Sequence, residues 1–207
     1  MDAADWDRKY EGRELVYGEA PNATLVEVVT TSKHGRALDL ACGQGRNAIW
    51  LATRGWTVDA VDFSSVALTA ASRVASSAPR SVRERLTWVH ADVTQLSTEP
   101  NYDLVLMFYL HLPPDARRAA ITAAVSALKP DGILMILGHH SANIESGVGG
   151  PQEPEILYTP EDLASDIGHR LTVLTAENRH RDVSGGTAVD ALLLASRSAL
   201  GSEPDRG

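Results

Sequence analysis

The chain has 207 residues, and its 19 Lys and Arg against 27 Asp and Glu give a formal net charge of −8 at pH 7. Hydrophobic residues make up 43% of the chain and charged residues 22%, a composition that excludes disorder as the dominant state. The acidic balance disfavours contacts with phosphate backbones and anionic lipid, so we expect neither a nucleic acid nor a membrane as a partner.

The cysteine content and the first residues of the chain bear on its compartment. Cys42 is the single cysteine and cannot form an internal disulfide, which favours a reducing environment. The start of the chain lacks the basic and apolar regions of a signal peptide. We therefore expect a cytoplasmic protein, with a single domain over residues 1–200 and a disordered tail at 201–207.

From residue 36 onward, short apolar runs alternate with segments of helical period. We predict helices at 45–54, 64–77 and 115–128, and strands at 36–41, 56–61, 86–90, 102–108, 132–138, 170–180 and 187–196. This alternation indicates βαβ units, and hence a three-layer, doubly wound (Rossmann-like) α/β fold around a mostly parallel seven-stranded sheet. A turn around Gly185-Gly186 separates the last two strands, so we expect the last strand to be antiparallel.

Two segments fall outside this alternation. Residues 1–34 contain Trp6, Tyr10 and Tyr17 before a helical pattern, and we predict an N-terminal lid and helix there. Residues 139–159 form a long segment punctuated by glycine and proline. A loop of this length is usually functional or disordered, and it follows a strand at the end of the sheet where α/β folds bind ligands. We predict a second, mobile lid.

A glycine-rich loop is expected between the first strand and the first helix of the alternation. Gly43 and Gly45 stand where the backbone must turn sharply and approach a ligand, and their spacing also matches a dinucleotide-binding fingerprint. Asp62 follows Gly45 by 17 residues, at the end of the second strand. There it can accept hydrogen bonds from ribose hydroxyls, an arrangement that both nicotinamide and S-adenosylmethionine sites use. An NAD(P)-dependent oxidoreductase therefore stays open at this point.

Two further aspartates refine the choice of ligand. Asp39 lies four residues before Gly43, where a carboxylate disfavours an anionic pyrophosphate but favours a ligand with an ammonium and a sulfonium. Asp92 follows the third strand and is placed to accept from an adenine amine. Strand-end or helix-capping roles remain the alternative for each aspartate.

The runs ALDLACGQGRNAIWLA, VDAVDFS, HADV and LKPDGIL resemble the successive motifs of class I S-adenosylmethionine-dependent methyltransferases. The resemblance covers about residues 5–196. Within that superfamily, WDRKY and YGEAPN resemble the N-terminal lid of small bacterial tellurite-resistance and thiopurine methyltransferases. The chain departs from these relatives at Tyr17, where many have tryptophan, and at Asp131, where the usual turn has glycine.

The resemblance implies S-adenosylmethionine as the cofactor and S-adenosylhomocysteine as its product. Gly43 and Gly45 would approach the methionine part, Asp39 would lie near its ammonium, and Asp62 would hold the ribose. The other implied cofactor contacts are Phe63 beside the adenine, Asp92 and the backbone of Val93 at the adenine amine, Arg46 and Tyr10 at the methionine carboxylate, and Phe108. A solvated Arg46 and a Tyr10 that serves only in packing remain alternatives.

Candidate catalytic residues follow the fourth and fifth strands. They are Tyr109, His111, His139 and His140. Adjacent residues on an extended segment point to opposite sides, so at most one of the paired histidines should face a cleft. Hydrogen bonds to neighbouring backbone are the alternative role. The histidines have no carboxylate nearby at a ligand spacing, so we expect no metal.

We therefore predict in-line transfer of a methyl group from S-adenosylmethionine to a small-molecule acceptor, which can be a thiol, hydroxyl, oxyanion or amine. A base is needed only when the acceptor is protonated at neutral pH. The alternatives are the oxidoreductase and a non-catalytic S-adenosylmethionine-binding protein. We expect a monomer or a homodimer.

Overall fold

The computed structural model describes residues 2–12, 15–16, 18 and 20–198. Tyr17 and the tail at 201–207, which the sequence analysis singled out, lie outside the described residues. The chain folds into two compact units, one ending at Leu96 and one beginning at Ser97. The expectation of a single domain over residues 1–200 stays a prediction.

The first unit contains the glycine-rich loop and its supporting elements. These are α1 (Ala3–Tyr10), α2 (Ala23–Val29), β1 (Arg36–Leu40), α3 (Arg46–Thr53), β2 (Thr57–Asp62), α4 (Ser65–Ser76), α5 (Arg80–Arg83) and β3 (Leu86–His90). β1 pairs with β2, and β2 with β3, both in parallel. Asp2, Asn22 and Ser64 begin α1, α2 and α4, because their side-chain oxygens accept from N–H groups of the first turn.

The second unit continues the alternation and ends in a hairpin. Its elements are β4 (Tyr102–Phe108), α6 (Pro114–Ala127), β5 (Leu128–His139), α7 (Asn143–Ser146), α8 (Pro160–Ile167), β6 (Thr172–Val183) and β7 (Gly186–Ser196), with short 3-10 turns at Pro154–Ile156 and Gly168–Arg170. α8 begins at Thr159 in a capping box with Asp162, as the Thr159-Pro160 pair indicates.

The strands form a seven-stranded sheet in the order β3-β2-β1-β4-β5-β7-β6. β4 and β5 are parallel, whereas β7 runs antiparallel to both β5 and β6. The predicted α/β fold, with a mostly parallel sheet and an antiparallel last strand, is confirmed. Among the described residues, no helix combines the length and apolar character needed to cross a membrane.

The fifth strand differs from its prediction at one end. It begins at Leu128, directly after α6, rather than at residue 132. Asp131 has a φ of 62°, and the register with β4 shifts between Tyr102 and Leu104. The strand therefore passes through an irregularity at the Lys129-Pro130-Asp131-Gly132 turn, and the Asp131 N–H and Gly132 carbonyl remain paired with Arg197.

The segment at 139–159 is partly structured, since it contains α7 and a 3-10 turn. Asn143 is 1% exposed and holds this segment from within. Its Nδ2 donates to the Gly149 carbonyl at 2.7 Å, and its Oδ1 accepts from the Val189 N–H at 2.8 Å. The base of the segment is thus fixed to β7, while its role as a lid stays a prediction.

Candidate functional site

The glycine-rich loop of the first unit spans residues 41–45, between β1 and α3. Ala41, Gly43 and Gly45 all have positive φ angles, of 58°, 53° and 77°. Ala41 is strained in this region because it carries a Cβ, and such strain persists where the surroundings fix the backbone, often at ligand sites. The loop is therefore a fixed, tightly turned backbone.

Asp62 organises this loop from the end of β2. Its Oδ2 accepts from the Gly43 N–H at 2.7 Å, and its Oδ1 accepts from the Ser64 N–H at 2.8 Å. Burial raises the pKa of Asp62, and the hydrogen bonds from Ser64 and Gly43 oppose that rise. Each carboxylate oxygen has a second lone pair, so Asp62 retains the capacity to accept from a ligand.

Asp39 is the most deeply buried acid of the site. It is 1% exposed, and its Oδ2 has no hydrogen-bond partner among the described residues. Burial, with a further contribution from Asp62, raises its pKa to about 7, while Arg46 opposes the rise. A buried carboxyl with an unsatisfied oxygen is stabilised in its ionised form by a cation.

The resemblance also implies cofactor contacts for Tyr10, the last residue of α1, and for Arg46, which directly follows the glycine-rich loop. Tyr10 is 6% exposed and stacks on Trp6, with ring centroids 5.6 Å apart. A Cβ on Gly43 would lie 3.0 Å from the Tyr10 hydroxyl, so this ring packs directly on the loop. Arg46 is the first residue of α3 and interacts electrostatically with Asp39. Their contacts with a cofactor stay predictions.

The residues expected around an adenine differ in their exposure and in their contacts. Asp92 is exposed, and its Oδ1 accepts from the Thr94 N–H and hydroxyl at 2.9 and 2.8 Å, which is the capping role kept as an alternative. Val93 is buried beside it, and the Phe63 carbonyl lies 2.9 Å from His90 Nε2. Phe108, at the end of β4, is buried within the second unit.

Sequence reasoning missed three side chains that fix the N-terminal segment of the first unit. Gln44 Oε1 accepts from the Val16 N–H at 2.6 Å, and Asn47 Oδ1 accepts from the Asn22 N–H at 3.0 Å. Asp7 Oδ1 accepts from the Ser64 hydroxyl at 2.5 Å. The sequence signal for two of them was the presence of amide side chains, Gln44 and Asn47, within and shortly after the glycine-rich loop, because buried polar groups need hydrogen-bond partners.

In the second unit, five side chains form what we call the histidine cluster: Tyr109, His111, His139, Tyr158 and Asp190. Asp190, on β7, is 1% exposed. Its Oδ2 accepts from the Tyr109 hydroxyl at 2.8 Å, and its Oδ1 lies 3.2 Å from His139 Nδ1. Burial alone would raise the pKa of Asp190, but His139, Arg181 and Tyr109 together hold it below its usual value.

His111 is stacked within this cluster. Its ring centroid lies 5.4 Å from that of His139 and 5.6 Å from that of Tyr158. Burial, with His139 nearby, lowers the pKa of His111 to about 4, so this imidazole is neutral near pH 7. A Cβ on Gly138 would overlap the buried Tyr158 hydroxyl, which has no hydrogen-bond partner among the described residues. Gly138 is thus required for the packing of Tyr158.

The two adjacent histidines at the end of β5 point to different sides, as the alternation of an extended segment predicts. His139 joins the cluster, whereas His140 Nδ1 accepts from the Ala142 N–H at 2.9 Å and stabilises the following turn. The structure therefore gives His140 the backbone role that the sequence analysis kept as an alternative. Asp190 and Tyr158 were missed, although a lone aspartate in the apolar run of β7 was a usable signal.

The first unit fits the cofactor that the resemblance implies. The unsatisfied Asp39 oxygen suits a cationic ligand, and the positive φ of Gly43 together with the Tyr10 contact disfavours a side chain at that position of the loop. Among the described residues, no group of three or more His, Cys, Asp or Glu side chains is placed to hold a metal ion.

Comparison with known proteins gives concordant results. The family described as "Methyltransferase domain" matches residues 37–132. Thiocyanate methyltransferase 1 of Arabidopsis thaliana is 30% identical over 186 residues, which cover 87% of this chain and 79% of that protein.

Solved structures share the fold. The glycopeptide N-methyltransferase MtfA in complex with S-adenosyl-L-homocysteine superimposes with a TM-score of 0.68 at 20% identity, over 86% of this chain and 88% of that one. TehB from Haemophilus influenzae gives a TM-score of 0.69 at 17% identity, over 86% of this chain and 62% of that one.

Proposed function

Since the chain belongs to the class I S-adenosylmethionine-dependent methyltransferases, we propose that it methylates a small-molecule acceptor that binds at the histidine cluster. Membership of this family removes the oxidoreductase alternative, and S-adenosylmethionine is the cofactor. The observation that carries the proposal is the contact between His139 Nδ1 and Asp190 Oδ1 at 3.2 Å.

We assign the cofactor to the glycine-rich loop with Asp39 and Asp62. The Asp39 carboxylate would face the positive charge of the ligand, and Asp62 would accept from its ribose while it holds the Gly43 N–H. Bound S-adenosylmethionine supplies a methyl group that its sulfonium already activates for in-line displacement. The protein's main task is then to align the acceptor.

His139 supports a role as general base. Asp190 Oδ1 lies 3.2 Å from His139 Nδ1 without hydrogen-bond alignment, and its negative charge favours a proton on that nitrogen, which would leave Nε2 to accept a proton from the acceptor. The lowered pKa of Asp190 keeps its carboxylate ionised, so it stabilises the imidazolium that forms. Tyr109 donates its hydroxyl proton to Asp190 and orients that carboxylate. A base of this kind favours a hydroxyl or thiol acceptor over an oxyanion.

Two further observations support a small acceptor. The relative from Arabidopsis thaliana is named for thiocyanate, a small molecule, and the chain's negative net charge disfavours nucleic acids. The single cysteine supports the cytoplasmic location expected from the sequence. The oligomeric state stays a prediction.

The test compares two neighbouring histidines. With a panel of small thiols and phenols, we expect the wild-type protein to convert S-adenosylmethionine to S-adenosylhomocysteine. His139→Gln should lower kcat by about 100-fold, as expected for a lost general base. His140→Gln, the matched control, should retain the wild-type kcat. Equal activity of the two variants would contradict the assignment of the base.

His111 is expected to position rather than to transfer protons, because its low pKa keeps it neutral. His111→Ala removes the ring between His139 and Tyr158, so it should lower turnover more than the affinity for S-adenosylhomocysteine. Steady-state kinetics and calorimetric titration of the same sample measure the two effects. Equal losses in both would show that His111 acts on the whole fold instead.

A further inference from the structure

Arg181 adds a positive charge to the histidine cluster. Its Nε donates to Asp190 Oδ2 at 3.0 Å, and its guanidinium carbon lies 5.7 Å from the centre of the Tyr109 ring. The side chain is 38% exposed, whereas that of Asp190 is 2% exposed. The guanidinium is therefore anchored on its inner side by a buried carboxylate and is open to solvent on its outer side.

The geometry of this guanidinium suits a planar anion. Arginine carries five N–H donors in a rigid fork, and Nε uses one of them on Asp190. The two terminal amino groups carry the other donors, Tyr109 makes a further side-chain hydrogen bond with Arg181, and the Tyr109 ring lies within cation–π range of the guanidinium. A carboxylate matches two parallel donors of such a fork.

The charges of the cluster favour the same ligand. Asp190 and Arg181 cancel each other, and His111 is neutral near pH 7. When His139 takes a proton from the acceptor, the cluster acquires one positive charge. A negative charge elsewhere on the acceptor offsets it within this partly buried cluster.

Resting on the proposed function, we propose that the acceptor is a small organic acid whose carboxylate binds the outer side of the Arg181 guanidinium. Arg181 then selects the substrate, while His139 acts on the hydroxyl or thiol that is methylated. This assignment separates recognition of the acceptor from deprotonation within one cluster.

The test is calorimetric titration of the protein saturated with S-adenosylhomocysteine, with benzoate and its neutral counterpart benzamide as probes. We expect benzoate to bind at least about tenfold more tightly than benzamide, because two charge-assisted hydrogen bonds can supply that difference in affinity. Arg181→Gln should abolish this difference, and Arg181→Lys should retain part of it, because lysine keeps the charge but loses the fork. The control is Arg118→Gln, a half-exposed arginine of the same unit that pairs with Asp115 and should leave the difference unchanged.

Equal binding of the two probes, undetectable binding of benzoate, or an equal loss in the Arg118 variant would overturn the proposal. Thermal unfolding of each variant shows whether Arg181→Gln also disturbs the fold. If it does, the preference of Arg181→Lys for benzoate over benzamide tests the proposal instead. Turnover of neutral acceptors without benzoate binding would leave methyl transfer standing and remove only the preference for acids. Benzoate binding without turnover of any acceptor would leave the preference for acids standing and contradict the proposed methyl transfer.

Discussion

At the scale of single residues, Asp62 has a structural role in addition to the ribose contact that we propose for it. It accepts from the Gly43 and Ser64 N–H groups and so connects the glycine-rich loop to the start of α4. A ribose contact would add to these bonds rather than replace them. Removal of this side chain should therefore affect stability as well as affinity.

We expect Asp62→Ala to weaken S-adenosylmethionine binding at least about tenfold, because charge-assisted bonds are worth about 1.5–3 kcal/mol each. It should also lower the melting temperature, since two buried N–H groups lose their partner. Calorimetric titration and thermal unfolding measure the two effects. Asp59→Ala is the control on the same strand: Asp59 pairs with Arg36 at 2.7 Å, so its loss should leave binding unchanged. Unaltered affinity in the Asp62 variant would refute the ribose assignment.

At the scale of elements, the loop before α3 is constrained by its own packing. The sequence alone indicates that a side chain on Gly45 would intrude on a ligand. In the structure, a Cβ there would lie 2.6 Å from the Trp88 ring, and the φ of 77° is itself unfavourable for other residues. The glycine is thus required by α3 and β3 before any ligand is considered.

We expect Gly45→Val to abolish cofactor binding and to lower the melting temperature. A comparison of Gly45→Ala with Gly149→Ala separates the steric contact with Trp88 from the backbone strain. Gly149 has the same φ of 77° but nothing within 4 Å of its added Cβ. The Gly149 variant should lose only the backbone term of about 1–2 kcal/mol, and the Gly45 variant clearly more. Equal losses of stability would mean that Trp88 moves aside freely.

The two predicted lids are also a matter of elements. Gln44 and Asn47 hold the N-terminal segment through hydrogen bonds. Within the 139–159 segment, Gly150 packs against the ring of His139, since an added Cβ would lie 2.7 Å from the imidazole. If both act as lids, S-adenosylhomocysteine should slow hydrogen exchange in both, while α8 remains unchanged. Exchange rates that do not respond to ligand in either segment would reject the lid assignment.

At the scale of the whole molecule, periodicity was sufficient for the architecture. Alternating strands and helices predicted the sheet, and the Gly185-Gly186 turn predicted the antiparallel strand. Contacts between residues distant in sequence were not predictable in this way. The partnership of Asp190 with Tyr109 joins β7 to the end of β4, and it depends on strand register, which no local pattern specifies. Asp39 and Asp62 could be proposed from the sequence because strand ends and a glycine-rich loop mark them locally.

The pH dependence of stability is a further property of the whole chain. The pKa of Asp39 rises from 3.8 to about 7 on folding, so the folded state binds this proton more tightly. Its contribution to stability is therefore complete below pH 4 and is lost as the pH rises to about 7, with an upper bound of about 4 kcal/mol. Asp39→Asn should match the wild-type protein near pH 4 and exceed it near pH 8 in urea unfolding. The control Asp103→Asn, at a half-exposed partner of Lys129, should show no such trend.

Methyl transfer can be followed directly with an isotopic label on the methyl group. Wild-type protein is incubated with S-adenosylmethionine that carries a deuterated methyl group and with 4-mercaptobenzoate, and the acceptor is analysed by mass spectrometry. We predict that the label appears on the acceptor's sulfur with equal release of S-adenosylhomocysteine, and that His139→Gln and Asp62→Ala both suppress it. Tight binding of S-adenosylmethionine with no label on this acceptor or on any other thiol or phenol would contradict the proposed methyl transfer to a thiol or hydroxyl acceptor.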